Sequence, residues 1–337
     1  MSTTFNVAII GAGGIANAHV GAIAGSKGRL ALAGVVDPVA ENRERLASAH
    51  SAQGFASTAE LIKAVKAGSV SVDGAVVCTP PFARIDVIGS LLKAGIPVLS
   101  EKPLAHNSAD SKKLATLARK YGKVFTAVGY CHRFTPAVLA MKQMALEGKI
   151  GRVVRFENFF ACDLPGHQTK WFSDPKKAGG GAYIDMGSHS VDLFHFMVGP
   201  AKTVAALFDH KWPKRTETAA TVLLKSAKAN GKNMPAGLAG VIFSGWAETS
   251  RFTVSLVGTE GMLSYDYEKD GEIIFKDLLG KPTSMPIESC GVRFARQLEA
   301  FADAVQKKAK KTGLATFADG AAAADMVTKA AKLAAKG

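Results

Sequence analysis

Val7-Ala8-Ile9-Ile10-Gly11-Ala12-Gly13-Gly14-Ile15-Ala16 is the stretch on which the reading of this chain turns. Val7 to Ile10 is a short apolar run of the kind buried as a strand, and the pattern from Ala16 to Ala24 reads as a helix. Between them lies a G-x-G-x-x-A match. Gly11 permits a tight turn, Gly13 leaves the backbone open to a pyrophosphate, and Ala16 allows close packing of helix on strand. The N–H groups at the helix start, around Gly14 and Ile15, favour an anion. A second strand, Leu30 to Val36, ends at Asp37, whose carboxylate suits the hydroxyls of an adenosine ribose. The competing reading is a glycine-rich turn beside an unrelated aspartate. Strand, loop, helix and acid falling in register speak against it. Because a carboxylate repels a 2′-phosphate, Asp37 points to NAD, with NADP possible if Arg43 folds back towards the site.

Outward from this stretch, strands and helices alternate. Val39 to Ala49, Ile85 to Ala94 and Ser108 to Tyr121 read as helices, while Val72 to Cys78, Val98 to Ser100 and Val124 to Val128 read as strands. The alternation predicts a doubly wound, mostly parallel α/β sheet over residues 1–128. Beyond about residue 150, seven strands are expected with no helices between most of them. They are Arg152 to Phe160, Thr203 to Phe208, Ala219 to Leu224, Leu238 to Ser244, Phe252 to Val257, Gly261 to Tyr267 and Glu272 to Lys276. Residues 129–337 therefore read as an α+β domain with a large open, mostly antiparallel sheet. One helix, Ala182 to Met197, interrupts the strands; Lys225 to Gly237 reads as a mobile hairpin loop; Arg293 to Lys307 and Phe317 to Ala335 are helical.

Composition narrows the function classes. The 337 residues are 47% hydrophobic and 21% charged, ordinary for a globular chain with a sizeable core. No apolar run is long enough to span a membrane and no signal peptide is visible, so a cytoplasmic location is expected. The four cysteines are scattered without metal or redox spacing. A net charge of +14 raises the question of nucleic acid. The lysines are spread along helices and loops, densest at Lys307-Lys308 with Lys310-Lys311, and no aromatic platform interleaves with them, so no nucleic-acid partner is expected. The histidines lack close ligand spacing to cysteines or carboxylates, and no metal is expected.

Further motifs follow in order: Thr79-Pro80-Pro81, Ser100-Glu101-Lys102-Pro103, Gly129-Tyr130-Cys131-His132-Arg133-Phe134-Thr135-Pro136, Gly179-Gly180-Gly181-Ala182-Tyr183-Ile184-Asp185-Met186-Gly187-Ser188-His189 and Gly258-Thr259-Glu260-Gly261. Together with the glycine loop they resemble the Gfo/Idh/MocA family of glucose–fructose oxidoreductase and inositol dehydrogenase-like enzymes. The resemblance spans nearly the whole chain. It implies a Rossmann domain, an open C-terminal sheet that mediates a homodimer or homotetramer, and Lys102, Asp185 and His189 as the catalytic group. Thr79, Pro80, Glu101, Lys102 and Arg133 join the glycine loop and Asp37 as implied cofactor contacts, Arg133 with a structural contact as the alternative. Two positions depart from the family: Arg84, where relatives often carry histidine, and Phe172, where many carry arginine.

The residue chemistry agrees. Oxidising a carbinol requires hydride departure, proton removal and stabilisation of developing alkoxide charge. Lys102, at a strand end, suits the last task; Asp185 and His189, spaced i, i+4, share one helix face, and an imidazole titrates near working pH. His167 reads as either pocket-lining or solvent-exposed; His195 and Asp192 read as structural. The expected function is hydride transfer between NAD(H) and a hydroxyl or keto carbon of a sugar or cyclitol. A dinucleotide-binding sensor with little turnover is the alternative.

Overall fold

The computed structural model describes residues 4–309 and 312–336, so Lys310 and Lys311 of the basic stretch lie outside the described residues. The chain forms two compact units, Met1–Cys131 with Val292–Ala321 and His132–Gly291 with Ala322–Gly337. The sequence pattern puts a single boundary between 128 and 129. The contacts put the first crossing three residues later and return Val292–Ala321 to the first unit.

In the first unit the order is β1 (Phe5–Ile10), α1 (Gly14–Ala24), β2 (Leu30–Val36), α2 (Ala40–Ser48), β3 (Gln53–Phe55), α3 (Thr58–Lys66), β4 (Gly74–Val77), α4 (Arg84–Lys93), β5 (Val98–Ser100), α5 (Ser108–Lys120) and β6 (Thr126–Val128). The sheet runs β3-β2-β1-β4-β5-β6, every neighbour parallel. Helices on both faces require uninterrupted apolar strands, and Val7 to Ile10 and Ala75 to Val77 are buried throughout. β3 and α3 were not expected. Ser57-Thr58-Ala59-Glu60 carried the signal, an N-cap serine with an acid three residues on. Ser57 Oγ accepts from the Glu60 N–H, and Glu60 Oε2 accepts from the Ala56 N–H.

The second unit contains α6 (Pro136–Leu146), β7 (Val153–Asp163), the short α7 (Pro175–Ala178), a π-helical turn Tyr183–Gly187 running into α8 (Ser188–Met197), and strands β8 (Ala201–Asp209), β9 (Ala219–Ser226), β10 (Ala239–Gly245), β11 (Ala247–Gly258), β12 (Met262–Asp266), β13 (Glu272–Lys276) and β14 (Pro282–Pro286). Its eight strands run β14-β13-β12-β11-β7-β10-β9-β8; only β7 and β10 pair in parallel. β14, with proline at both ends, was missed because it is an exposed edge strand. α6 was missed as well, although Thr135-Pro136 is a regular helix opening. The expected mobile loop after β9 is instead tied down: Met234 is buried, and Asn233 donates from Nδ2 to the Leu146 carbonyl while its own carbonyl accepts from Val153. α9 (Arg293–Gln306) belongs to the first unit, where Phe301 meets Phe5 edge-on at 5.7 Å. α10 (Phe317–Ala334) closes the chain. No helix among the described residues is long and apolar enough to cross a membrane.

Candidate active site

Sheet register gathers the candidate residues of the first unit. Ile10 pairs with Val36 and Val77, and Val77 with Ser100. The residues that follow these strand ends, Gly11, Asp37, Cys78-Thr79 and Glu101-Lys102, therefore emerge along one carboxyl edge. That edge, where strand order reverses between β1 and β4, is where parallel sheets bind ligands.

Gly11 has φ +97°, and a Cβ there would stand 2.9 Å from the Thr79 backbone nitrogen, so no other residue fits the turn. At Gly13 and Gly14 a Cβ would meet nothing within 4 Å: the backbone is bare towards the edge. α1 begins without a side-chain cap and without an acidic residue in its first turn. The buried Thr79 Oγ1 has no hydrogen-bond partner among the described residues. A bare loop, an uncapped helix start and a buried polar atom awaiting a partner fit a dinucleotide pyrophosphate and its flanking ribose.

Asp37 is nearly buried. Its Oδ2 accepts from the Ala12 N–H at 2.8 Å and its Oδ1 from the Val39 N–H at 2.9 Å. Each oxygen keeps a second lone pair for a ribose hydroxyl. Arg43 does fold back: its Nη1 donates to the Asp37 carbonyl at 2.8 Å, and Arg45 Nη2 donates to the Ala12 carbonyl at 3.2 Å. Two guanidinium groups are thus anchored on backbone carbonyls of Asp37 and of Ala12, the residue whose N–H the carboxylate accepts.

Glu101 is buried, with Oε1 at 2.7 Å from His19 Nε2 and Oε2 accepting from the Lys102 N–H at 3.1 Å. Burial alone would raise its pKa, yet the His19 hydrogen bond and the His19, Lys102 and Arg84 charges hold it below the ordinary carboxylate value. Its carboxylate is directed at His19 and at the Lys102 N–H. His19 was overlooked; a lone histidine on α1 carries no sequence signal of this pairing.

In the second unit, Asp185 lies in the π turn and His189 in the first turn of α8, in place of the single α-helix that was expected. The fold holds this segment from below. Glu217 Oε1 accepts from the N–H groups of Gly181 (2.7 Å) and Tyr183 (3.1 Å), and its carbonyl accepts from Ala182. A Cβ on Gly181 would lie 1.9 Å from the Glu217 carbonyl oxygen, which explains the glycine. Burial pushes the Glu217 carboxyl up. Glu217 is a site residue that no motif announced.

Asp185 Oδ2 accepts from the Trp246 indole at 3.1 Å, and Phe172 packs against Trp246 with ring centroids 5.3 Å apart. The rings of His189 and His132 meet at 4.6 Å, and His132 Nδ1 lies 3.0 Å from the Tyr267 hydroxyl. Spacing in the sequence concealed this histidine pair. Arg133 forms a bidentate ion pair with Asp192 at 2.7 and 2.8 Å. His167 is buried rather than exposed, its Nδ1–H donating to the Leu164 carbonyl at 2.6 Å and its ring packing against Trp212 and Trp246. His195 contacts the Met326 sulfur, a structural contact.

Comparison with known proteins agrees with this architecture. The model of the oxidoreductase family with an NAD-binding Rossmann fold matches residues 5–130, and the model of the GFO/IDH/MocA C-terminal domain matches residues 138–264. The chain belongs to the Gfo/Idh/MocA oxidoreductase family. It is similar to the rhizopine catabolism protein MocA of Rhizobium meliloti, 29% identical over 60% of this chain and 59% of that protein. It is also similar to the 1,5-anhydro-D-fructose reductase of Ensifer adhaerens, 31% identical over 58% of each. The chain thus spans less than two thirds of the length of the curated relatives it matches. Among solved structures, levoglucosan dehydrogenase in complex with NADH and levoglucosan superposes with a TM-score of 0.84 at 20% identity, covering 99% of this chain and 98% of that one. A 3-ketoreductase from Actinomadura kijaniata in complex with NADP and TDP-benzene gives 0.83 at 18%, over 98% of both chains. These likenesses establish the Gfo/Idh/MocA fold.

Proposed function

We propose that the chain is an NAD(H)-dependent oxidoreductase that moves a hydride between the cofactor and a hydroxyl or keto carbon of a sugar, cyclitol or related polyol. The observation that carries this reading is the common carboxyl edge that brings the bare glycine loop, Asp37, Thr79 and Lys102 together in the first unit. When bound, the nicotinamide ring accepts or donates the hydride. The Gly13–Gly14 backbone and the α1 N-terminus hold its pyrophosphate, and Asp37 holds the adenosine ribose. The Lys102 ammonium offsets negative charge on the carbinol oxygen as its proton leaves. His189 takes that proton in oxidation and returns it in reduction, while Asp185, oriented by Trp246, accepts from a substrate hydroxyl. Polyol relatives and a levoglucosan complex in the same family support a ring-shaped, hydroxyl-rich substrate. A sensor would bind the dinucleotide but has no use for a lysine, a carboxylate and an imidazole suited to carbinol chemistry.

A panel of sugars and cyclitols with NAD or NADP, followed at the reduced-nicotinamide absorbance, tests the reading. Lys102→Ala is expected to lower turnover by ~10²–10⁴-fold, the range for a lost proton-transfer or charge-stabilising group, with NADH affinity within about threefold. Full turnover in that variant would remove Lys102 from the chemistry, and absence of turnover across the panel would favour the sensor.

A further inference from the structure

Arg84 breaks a local rule. It is the first residue of α4, where the helix dipole disfavours a cation, and it is buried with 3% of its surface exposed. Buried guanidinium groups persist where their donors are used. Arg84 Nε donates to the Thr79 carbonyl at 2.9 Å, and Nη1 donates to the carbonyls of both Glu101 and Pro103. Those last two carbonyls bracket Lys102. Thr79 belongs to the neighbouring loop after β4, which Gly11 touches. One planar fork therefore ties the loop after β4 to the loop after β5, on either side of the lysine. The opposite hold on the same peptide is Glu101 Oε2, which accepts from the Lys102 N–H while Oε1 is fixed by His19. Burial lowers the Arg84 pKa to about 10, so the group stays charged at neutral pH.

We propose that Arg84 is a positioning residue for Lys102: its guanidinium fixes the backbone on both sides of the lysine and so aims the ammonium at the reacting oxygen. This rests on the role given to Lys102 above. Its donors go to the Thr79, Glu101 and Pro103 carbonyls, so its effect passes through the backbone. A lysine at 84 offers a point charge on a flexible stem and cannot reproduce three directed contacts.

The test compares Arg84→Lys and Arg84→Gln with Lys102→Ala in the full chain. Melting and NADH fluorescence titration come first, then kcat and KM on whichever panel substrate is turned over. Two substrate-free readouts follow: amide hydrogen exchange of the peptide spanning 98–105, and the rate at which Lys102 is labelled by trinitrobenzenesulfonate, located by peptide mass spectrometry. Positioning predicts folded Arg84 variants with NADH affinity within about threefold and kcat lower by ~10–100-fold, the usual effect of misplacing a group by about 1 Å. It also predicts exchange at 98–105 faster by about tenfold while the glycine-loop peptide is unchanged, and an altered labelling rate at Lys102. Rescue of Arg84→Gln by millimolar guanidinium would support the same assignment. Folded variants with kcat within twofold of the parent and unchanged exchange would overturn it. So would failure of both variants to yield folded protein, which would mark Arg84 as a residue of the fold. Were Lys102→Ala to turn over normally while the Arg84 variants still loosened 98–105, the catalytic reading would fall and the positioning geometry would stand.

Discussion

Asp37 and Arg43 oppose one another over a single decision, which cofactor the chain prefers. On the proposed reading the Asp37 carboxylate repels a 2′-phosphate, yet Arg43 and Arg45 are anchored on the carbonyls of Asp37 and Ala12, with Arg45 also donating to Asn17 and Arg43 3.6 Å from the Glu44 carboxylate. Neither effect annuls the other, so we expect NAD to lead and NADP to be used. Arg43→Ala should raise the ratio of kcat/KM for NAD over NADP by about tenfold, equivalent to ~1.4 kcal/mol, and Asp37→Ala should lower it by a similar factor. The ratio is the proper measure because Asp37→Ala also deprives the Ala12 and Val39 N–H groups of their acceptor, a loss common to both cofactors. An unchanged ratio in Arg43→Ala would show that its donors are spent on the protein. Asp37 was legible in the sequence because a strand end and a glycine loop fix its place. The direction of Arg43 was not, since a long side chain chooses its partner only once β3 has brought Gly54 beneath it, where a Cβ would lie 3.2 Å from Arg43 Cγ.

The element that carries Asp185 and His189 is a π turn leading into α8, and its start depends on a carboxylate from the β8–β9 connection. Glu217 is raised above its ordinary pKa by burial, although the Gly181 and Tyr183 N–H groups pull it down. An acid whose folded pKa is raised stabilises the fold fully below its unfolded value, near 4.5, and that contribution is lost as pH rises through the folded value. Glu217→Gln keeps an oxygen acceptor for both N–H groups without a buried charge. Its melting temperature should therefore exceed the parent's by about 2–4 °C at pH 8 for each ~1 kcal/mol of charge burial relieved, and the gap should close by pH 4. Glu217→Ala removes the acceptor altogether, at about 1–3 kcal/mol for each stranded N–H, and turnover should fall by at least about tenfold as the turn relaxes. A Gln variant that loses ground as pH rises would reverse the sign and refute the account. The i, i+4 spacing drew attention to Asp185 and His189, which the structure divides between the π turn and α8; the brace gave no such signal. Glu217 lies thirty-two residues beyond Asp185 in an unremarkable Thr-Glu-Thr stretch, and only strand pairing brings it back. α6 and β14 escaped for a different reason: each begins with proline, which marks a helix start and an edge strand as readily as a loop.

At the scale of the whole molecule, the second unit's sheet has one face under helices and one face open. Strand alternation puts Ala206, Val222, Leu224, Ile242, Phe156 and Leu256 inward, where Phe194 of α8 packs on Phe156 at 5.3 Å. The other face carries Leu207, Leu223, Val241, Phe243 and Phe159, joined by register across β8, β9, β10 and β7. Leu207 is 72% exposed and Leu223 39%, and Phe159 stacks on Phe243 at 4.0 Å beside them. An alternating strand that points leucine and phenylalanine to water has a cover to find, and a second copy of the same face is the economical one. A two-fold pairing would bury two copies of each leucine, at roughly 1.5–3 kcal/mol for a fully exposed side chain and less for the partly covered Leu223, so replacing both with charge removes a decisive share of an ordinary interface. We expect the parent chain to sediment as a dimer or tetramer at micromolar concentration, and Leu207→Lys with Leu223→Lys to sediment as a monomer with its circular dichroism intact. A parent that sediments as a monomer, or a double variant that keeps the parent's mass, would leave this face without a partner and send the search for one elsewhere.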